Sequence, residues 1–399
     1  MTTPTRAGRS VPVPLLLTIA LLSAVSPLST DLYLAAFPTI LAELHTTATG
    51  VQLTLTAFLV GVALGQLVFG PLSDRLGRVR PLLVGSVVCV AASALTAVAP
   101  TIGVLTAARF VQGLTGAAGM VIGRAIISDV AAGKAAARAF SLMMIVGGVA
   151  PVVAPLLGGF LVGWIGWRGI FWVVTGLVVA MLVASLMVIR ETHRPEKATA
   201  GGRADLRVLA SRGYLGHVVT MAAGFAALMA YISASPFVYQ QMMGFGPVPY
   251  GVLFGLNAVG ISTCSAVAAR LTATHRVRAV LGAGLIGVSA GVAALLILVL
   301  SGAPARWYTV AIFVAVSSLG FVFGNSTALA LAQARGVAGT ASALMGALQF
   351  ALGAVVAPLV GIAGESTALP LAVVMACAMA VSATGFAVAG RRSEMVITA

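Results

Sequence analysis

Charge is scarce in this sequence, and acidic charge scarcest of all. The 399 residues include nine Asp and Glu against 23 Lys and Arg, so only 8% of the chain is charged. A soluble domain carries roughly a quarter of its residues as charges, and this chain lacks the material for a water-facing surface. With 60% hydrophobic residues and a mean hydropathy of +1.09, it must take lipid as its solvent. The net charge of +14 does not point to nucleic acid, because its basic residues lie in short stretches between apolar runs and build no basic face on a soluble domain. Cysteine is equally sparse. Cys89, Cys264 and Cys377 each fall inside an apolar run, far apart, which excludes a disulfide framework and reads as small core residues. The four histidines, His45, His193, His217 and His275, are expected in loops or at helix ends, which excludes a buried metal site.

Missing motifs narrow the function further. No G-x-x-x-x-G-K-[ST] loop is present, so no nucleotide is expected as a source of energy, and no cofactor is implied. The apolar runs hold no nucleophile–base or metal constellation, so the chain is not expected to be an enzyme. They hold no filter loop or pore-lining ring, so a channel is not expected either.

What the sequence does have is long apolar runs of about 20–26 residues, each able to cross ~30 Å of hydrocarbon. They lie near 13–38, 51–71, 81–99, 102–124, 138–163 and 169–189, and again near 214–238, 249–269, 279–300, 307–331, 338–362 and 367–389. Arg6 and Arg9 precede the first run, which continues to about Pro38 without a cleavage site and reads as an uncleaved first transmembrane helix. The fold class is therefore an all-α membrane protein with twelve crossings. If the N-terminus is cytoplasmic, the inside segments collect Arg6, Arg9, Arg75, Arg78, Arg80, Arg124, Lys134, Arg138, Arg190, Arg194, Lys197, Arg203, Arg207, Arg212, Arg270, Arg276, Arg278, Arg335, Arg391 and Arg392. The outside segments hold only Arg168 and Arg306, so both termini are expected in the cytoplasm. Trp164, Trp167, Trp172 and Trp307 then cluster at the outer interface, an independent sign of the same orientation.

The longest polar segment, RETHRPEKATAGGRADLRVLASRG at 190–213, divides the crossings six and six. It reads as a solvated linker. The expected units are 1–190, an N-terminal six-helix bundle; 191–212, a cytoplasmic linker; and 213–399, a C-terminal six-helix bundle. RLGRVR at 75–80 and RLTATHRVR at 270–278 occupy equivalent loops, the weak internal symmetry of a two-bundle transporter.

Two charges lie well inside the expected spans, Asp31 and Arg109. A mid-membrane ion costs about 3 kcal/mol or more and marks function by default. Asp31 is seven residues before Pro38 and Arg109 seven after Ile102, so each is roughly 10 Å below the same boundary and the two can pair directly or through water. Such a pair either fixes packing or carries protons or substrate. The second reading is favoured, since a buried ion pair is rarely the most stable filling.

GPLSDRLGRVRP at 70–81 is the most specific motif. Gly70-Pro71 is expected to end the second helix. The segment resembles the signature loop of the major facilitator superfamily, G-x-L-x-D-R-x-G-R-[RK], through Gly70, Leu72, Asp74, Arg75, Gly77 and Arg78, with Val79 at the last basic position. The resemblance implies a cytoplasmic gate in which Asp74 faces the N-terminus of helix eleven and Asp129 shares Arg78. Other segments resemble the superfamily's drug:proton antiporters of twelve spans: STDLYLAAFP (29–38), where Ala35 replaces a proline, and LTAARFVQGLTGAA (105–118), with Arg109, Gln112 and Gly113. APVVAPLLGG (150–159) is similar to the antiporter motif of helix five through Pro155, Gly158 and Gly159, with Ala150 and Ala154 in place of glycines. GTASALMGALQF (339–350) resembles helix eleven of the bicyclomycin- and chloramphenicol-resistance group.

The resemblance implies two six-helix bundles around a central cavity and alternating access across a bacterial inner membrane. It also implies efflux of a small lipophilic drug, such as chloramphenicol, driven by the proton gradient. Asp31 and Arg109 would couple protons. Substrate contacts would come from these two and from polar or aromatic residues at middle depth: Tyr33, Gln112, Tyr231, Asn257, Asn325 and Gln349. The partners implied are a small molecule, protons and lipid, with the chain acting as a monomer. The alternative is a proton-coupled symporter importing a small metabolite.

Overall fold

The computed structural model describes residues 12–131, 133–192, 206–334 and 337–390. The two ends with Arg6, Arg9, Arg391 and Arg392, the linker from 193 to 205 with His193, Arg194, Lys197 and Arg203, and Arg335 lie outside the described residues, as does the side chain of Lys134.

Among the described residues every element is helical. The first crossing is α1 (Val13–Asp31), a tight turn at Leu34–Ala36, and the short α2 (Phe37–Glu43). α3 (Ala48–Leu76), α4 (Val79–Ala97) and α5 (Ile102–Val130) follow, with α3 and α5 started by Thr47 and Thr101, whose hydroxyls accept from the Gly50 and Val104 amides. α6 (Gly133–Val188) contains an apolar stretch of 40 residues, Val149–Val188. At 1.5 Å per residue that is about 60 Å, twice the hydrocarbon thickness. The chain leaves helical geometry at Gly166 (φ 65°, ψ −178°), so α6 crosses, turns and crosses back, and the eleven apolar spans make twelve crossings.

The second half runs through α7 (Arg212–Pro236), α8 (Pro247–Leu271) and α9 (Val277–Leu300). α10 (Tyr308–Ser318) and α11 (Gly320–Gln333) share one crossing, and α12 (Ala338–Val356) and α13 (Leu369–Ala389) complete the set. Large apolar side chains such as Val13, Leu17, Val84, Ile286, Ile297 and Leu300 are more than 60% exposed, a surface that only lipid can cover.

α1 and α3 to α6 pack on one another, as do α7 to α13, and the halves meet where α6 lies against α8 and α3 against α12. Two hydrogen bonds join the halves near the end that carries Trp164 and Trp307. Gln52 Nε2 donates to the Ser233 carbonyl at 3.2 Å, and Gln240 Nε2 to the Ala35 carbonyl at 3.1 Å. The opposite, basic end carries the loop at Gly77.

Several expectations are corrected. α3 does not end at Gly70-Pro71 but continues to Leu76. Pro71 forfeits one backbone bond to Leu67, on a side chain that is exposed, while the Ser73 hydroxyl donates to the Gly70 carbonyl at 2.9 Å. The stop is Gly77, whose φ of +85° is open to glycine and strained for other residues. α5 likewise runs past Arg124, which is half-buried within it and bonds the Met120 carbonyl. His217 is not at a surface end but fully buried in α7. Trp167 stands at the turn as expected but does not face lipid: it is 1% exposed, with its indole N–H on the Glu43 carboxylate at 2.8 Å. Of the cysteines only Cys89 is buried, and Cys377 is exposed.

Candidate functional site

Arg109 is fully buried, two turns into α5. The neighbouring chain was built to receive it. Its Nη1 donates to the Ser29 carbonyl of α1 at 3.1 Å and to Gln112 Oε1, one helical turn on, at 2.6 Å. Gln112 Nε2 in turn donates to the Ser93 hydroxyl of α4 at 2.8 Å. The guanidinium carbon lies 4.4 Å from the centre of the Tyr33 ring and 4.2 Å from that of Phe58, with Phe171 at 5.8 Å. Each such ring contributes about 0.5–2 kcal/mol toward holding a desolvated cation. Tyr33 is fixed by its own hydroxyl, 3.1 Å from that of Thr54.

Asp31 closes α1 beside this cage and is 4% exposed. No ion pair joins it to Arg109, and its carboxylate meets neither a cation nor a hydrogen-bond donor among the described residues. The direct pairing expected from matched depth is therefore not formed. Two features explain the difference. The first crossing extends beyond Pro38 to Glu43, so Asp31 is deeper than counted, and the arginine is already held by Ser29, Gln112 and the rings.

The C-terminal half supplies a second polar group. Asn257 Nδ2 donates to the Tyr231 hydroxyl at 3.1 Å and to the Leu253 carbonyl at 2.9 Å. Tyr231 stacks on Phe254, and Tyr250 packs against both Phe254 and Tyr239. The Tyr250 hydroxyl lies 3.3 Å from that of Ser235. Of the other expected contacts, Asn325 donates within its own helix to the Phe321 carbonyl, and Gln349 is half-buried with no side-chain hydrogen bond among the described residues. Neither is joined to the two clusters by a hydrogen bond. Tyr239, Tyr250, Ser235, Phe58 and Phe171 were not singled out from sequence. Tyr250 falls at the very start of its apolar run, where a tyrosine reads as an interface residue, and phenylalanines carry no polar signal.

At the basic end Arg78 gathers the loop. It donates to Asp129 (Nε, 2.9 Å), to Ser73 (3.0 Å) and to Asp74 (2.5 Å). Burial lowers the pKa of the guanidinium, but the hydrogen bonds and charges of Asp129 and Asp74 more than offset it and leave it above its ordinary value. Glu191, just past the sixth crossing, accepts from the Arg78 and Val79 amides at 2.8 and 3.1 Å and so caps α4. A Cβ on Gly77 would stand 2.5 Å from that carboxylate. Thr192 adds a bond to Asp129. Asp74 is 64% exposed at its side chain and is paired with Arg78; residues 335 and 336, just ahead of α12, lie outside the described residues. Arg75 is exposed, and a Cβ on Gly70 would meet Val121 at an ordinary 3.9 Å.

Pro155, Gly158 and Gly159 lie where α6 crosses both α1 and α8. A Cβ on Gly158 would stand 2.0 Å from the Leu32 carbonyl, one on Gly159 2.3 Å from that of Pro247, and one on Gly251 2.5 Å from that of Pro155. Three backbones touch here with no room for a side chain.

Apolar helices long enough to cross a membrane, with Arg109 and Asp31 buried among them, define a multi-pass membrane protein whose buried charges mark its functional interior. A model of the Major Facilitator Superfamily matches residues 19–358, and the chain belongs to that family. An uncharacterized MFS-type transporter of Bacillus subtilis strain 168, YdgK, is 35% identical over 366 residues, covering 90% of each chain. A bicyclomycin resistance protein homolog of Haemophilus influenzae is 32% identical over 384 residues, covering 93% of this chain and 94% of its own. The multidrug resistance protein MdtL of Escherichia coli O45:K1 is 29% identical over 238 residues, 59% of this chain and 60% of its own. Among solved structures, a bacterial homolog of the human lysosomal transporter Spinster, in an inward-facing and unoccupied conformation, superposes with a TM-score of 0.74. It is 17% identical and covers 99% of this chain and 98% of its own.

Proposed function

We propose that this protein exports small lipophilic drugs across the bacterial inner membrane in exchange for protons. The observation that carries the reading is Asp31. It is a carboxyl group buried inside a span, on the edge of the interior, without a donor or cation to occupy it. Such a group is free to take and release a proton as the interior is exposed to either side. The chain's likeness to relatives named for bicyclomycin and multidrug resistance supports a drug as the cargo.

On this reading 1–190 and 213–399 rock as two units joined by 191–212, with both termini in the cytoplasm. The substrate passes between the Tyr33–Arg109–Gln112 cluster and the Tyr231–Asn257 cluster, with Asn325 and Gln349 on neighbouring walls. One acid in the interior suits a neutral or weakly polar cargo better than a polycation, and chloramphenicol is the first candidate. Export is the direction that Pro155, Gly158 and Gly159 favour, because the seam they form shuts the tryptophan end tightly against proton leak.

The test is resistance. Expressed in a bacterium lacking its own pumps, the protein should raise tolerance to chloramphenicol or bicyclomycin several-fold, and a protonophore should remove the gain. Unchanged sensitivity across a panel of neutral antibiotics would contradict the reading.

A further inference from the structure

Asp31 has no partner within its own bundle, and the structure offers one across the interface. The side chains of Asp31 and Tyr250 are not hydrogen-bonded to each other in this structure, but the two residues stand at the ends of α1 and α8 that meet on α6. The backbone geometry explains why. Gly158 seats α6 directly on Leu32, the residue after Asp31, while Gly251, the residue after Tyr250, seats α8 directly on Pro155 of the same α6 turn. The bare turn Pro155–Gly159 thus brings the ends of α1 and α8 to one point. Tyr250 is fully buried, its ring held by Phe254 and Tyr239 at centroid distances of 6.0 and 6.2 Å. Its hydroxyl lies 3.3 Å from that of Ser235, whose own proton goes to the Ile232 carbonyl at 3.1 Å. The proton of Tyr250 is therefore free to point at Ser235 or toward Asp31.

We propose that Tyr250 is the positioning residue through which the protonation of Asp31 controls closure of the tryptophan end. This rests on the reading of Asp31 as the coupling acid. When Asp31 is ionised, Tyr250 donates to it and ties α8 to α1, while Ser235 keeps its proton on the Ile232 carbonyl. When Asp31 gains a proton from water, the carboxylic acid is a weak acceptor, Tyr250 keeps its own proton and turns it to Ser235, and the tie is lost. The other titratable groups around Asp31 are few. Arg109 comes from α5, held by Ser29 and Gln112; Tyr33 follows α1; and Tyr231 and Tyr239 come from α7 and the turn after it. The spans of α3 and of the two arms of α6 bring no charged side chain to this depth.

The test follows opening of the tryptophan end against pH. Ala35, 2% exposed at the seam, is changed to cysteine in a chain whose Cys89, Cys264 and Cys377 are replaced by alanine. Labelling by a membrane-impermeant maleimide from the tryptophan side is normalised to Ser301→Cys on an exposed turn. Labelling should rise as pH falls. Tyr250→Phe, which keeps the ring and removes only the hydroxyl, should move the midpoint up by about one pH unit, the scale of one hydrogen bond to an ionised group. Tyr239→Phe should not move it, and Tyr250→Phe should add nothing in an Asp31→Asn background, whose profile should be flat. A Tyr250→Phe profile that overlays the parent while Asp31→Asn is flat overturns the role of Tyr250 and leaves that of Asp31. An Asp31→Asn profile that keeps the parent's pH dependence removes Asp31 as the coupling acid, and this proposal with it.

Discussion

A guanidinium at 0% exposure inside a membrane needs its surroundings to stand in for water, and here they do so through Nη1 and the ring faces, while Nε and Nη2 have no hydrogen-bond partner among the described residues. Arg109 has a carbonyl, an amide oxygen and two close aromatic faces, and the planar fork suits all of them at once. Arg109→Ala should leave the Ser29 carbonyl and Gln112 without their donor, at about 1–3 kcal/mol for each orphaned group, and transport should fall to background. Arg109→Lys keeps the charge but cannot lie flat between Tyr33 and Phe58, so drug resistance should drop at least tenfold with protein levels nearly unchanged. Wild-type resistance in the lysine variant would show that charge alone matters. Asp31 has the opposite character, a buried carboxyl group that meets no cation and no hydrogen-bond donor among the described residues. Asp31→Asn should insert and fold normally, since no bond is lost, yet fail to exchange drug for protons. A variant that still concentrated drug against its gradient would contradict that.

At the scale of elements, helix boundaries and seams decide what the residues can do. Gly158→Ala places a methyl where the Leu32 carbonyl now stands, and neither backbone can yield without parting α1 from α6. Overpacking of this kind costs about 1–3 kcal/mol. Resistance should fall more than the amount of protein in the membrane, and equal losses in both would reduce the seam to a matter of stability. In the basic loop the two acids are unequal. Asp129 is 18% exposed and Asp74 64%, though both bond Arg78. Asp129→Asn should lower the thermal midpoint of the purified protein by several degrees and Asp74→Asn by little, because a solvated pair contributes at most about 1 kcal/mol. These elements were only partly legible in the sequence. Run lengths and arginine placement located the crossings, and the glycines at 158 and 159 announced a close approach. The extension of α3 through Pro71 was hidden because proline normally stops a helix, and here its cost falls on an exposed side. Glu191 was hidden because an acid just past a span reads as linker until the chain is seen to fold back onto Gly77.

For the whole molecule, the sequence showed that charge was confined to two interior residues but not how they were arranged. Depth counting brought Asp31 and Arg109 to one level. It could not foresee that α1 breaks after Asp31 and that the crossing runs on to Glu43. Nor could it foresee that Ser29, Gln112 and the rings would hold Arg109 and leave Asp31 outside any ion pair among the described residues. The consequence is a division of labour: the arginine is locked within the N-terminal half, and the acid stands free at the seam with α6 and α8. The proposed function rests on that arrangement, with one carboxyl exchanging protons for drug. It is tested most directly in everted membrane vesicles, whose cytoplasmic face points outward and whose lumen is acidified by respiration. Adding drug should make the lumen less acid as protons leave and drug enters, and Asp31→Asn vesicles should show no change. Drug leaving preloaded vesicles together with protons would mark a symporter, and drug movement that left the lumen pH untouched would contradict proton coupling altogether.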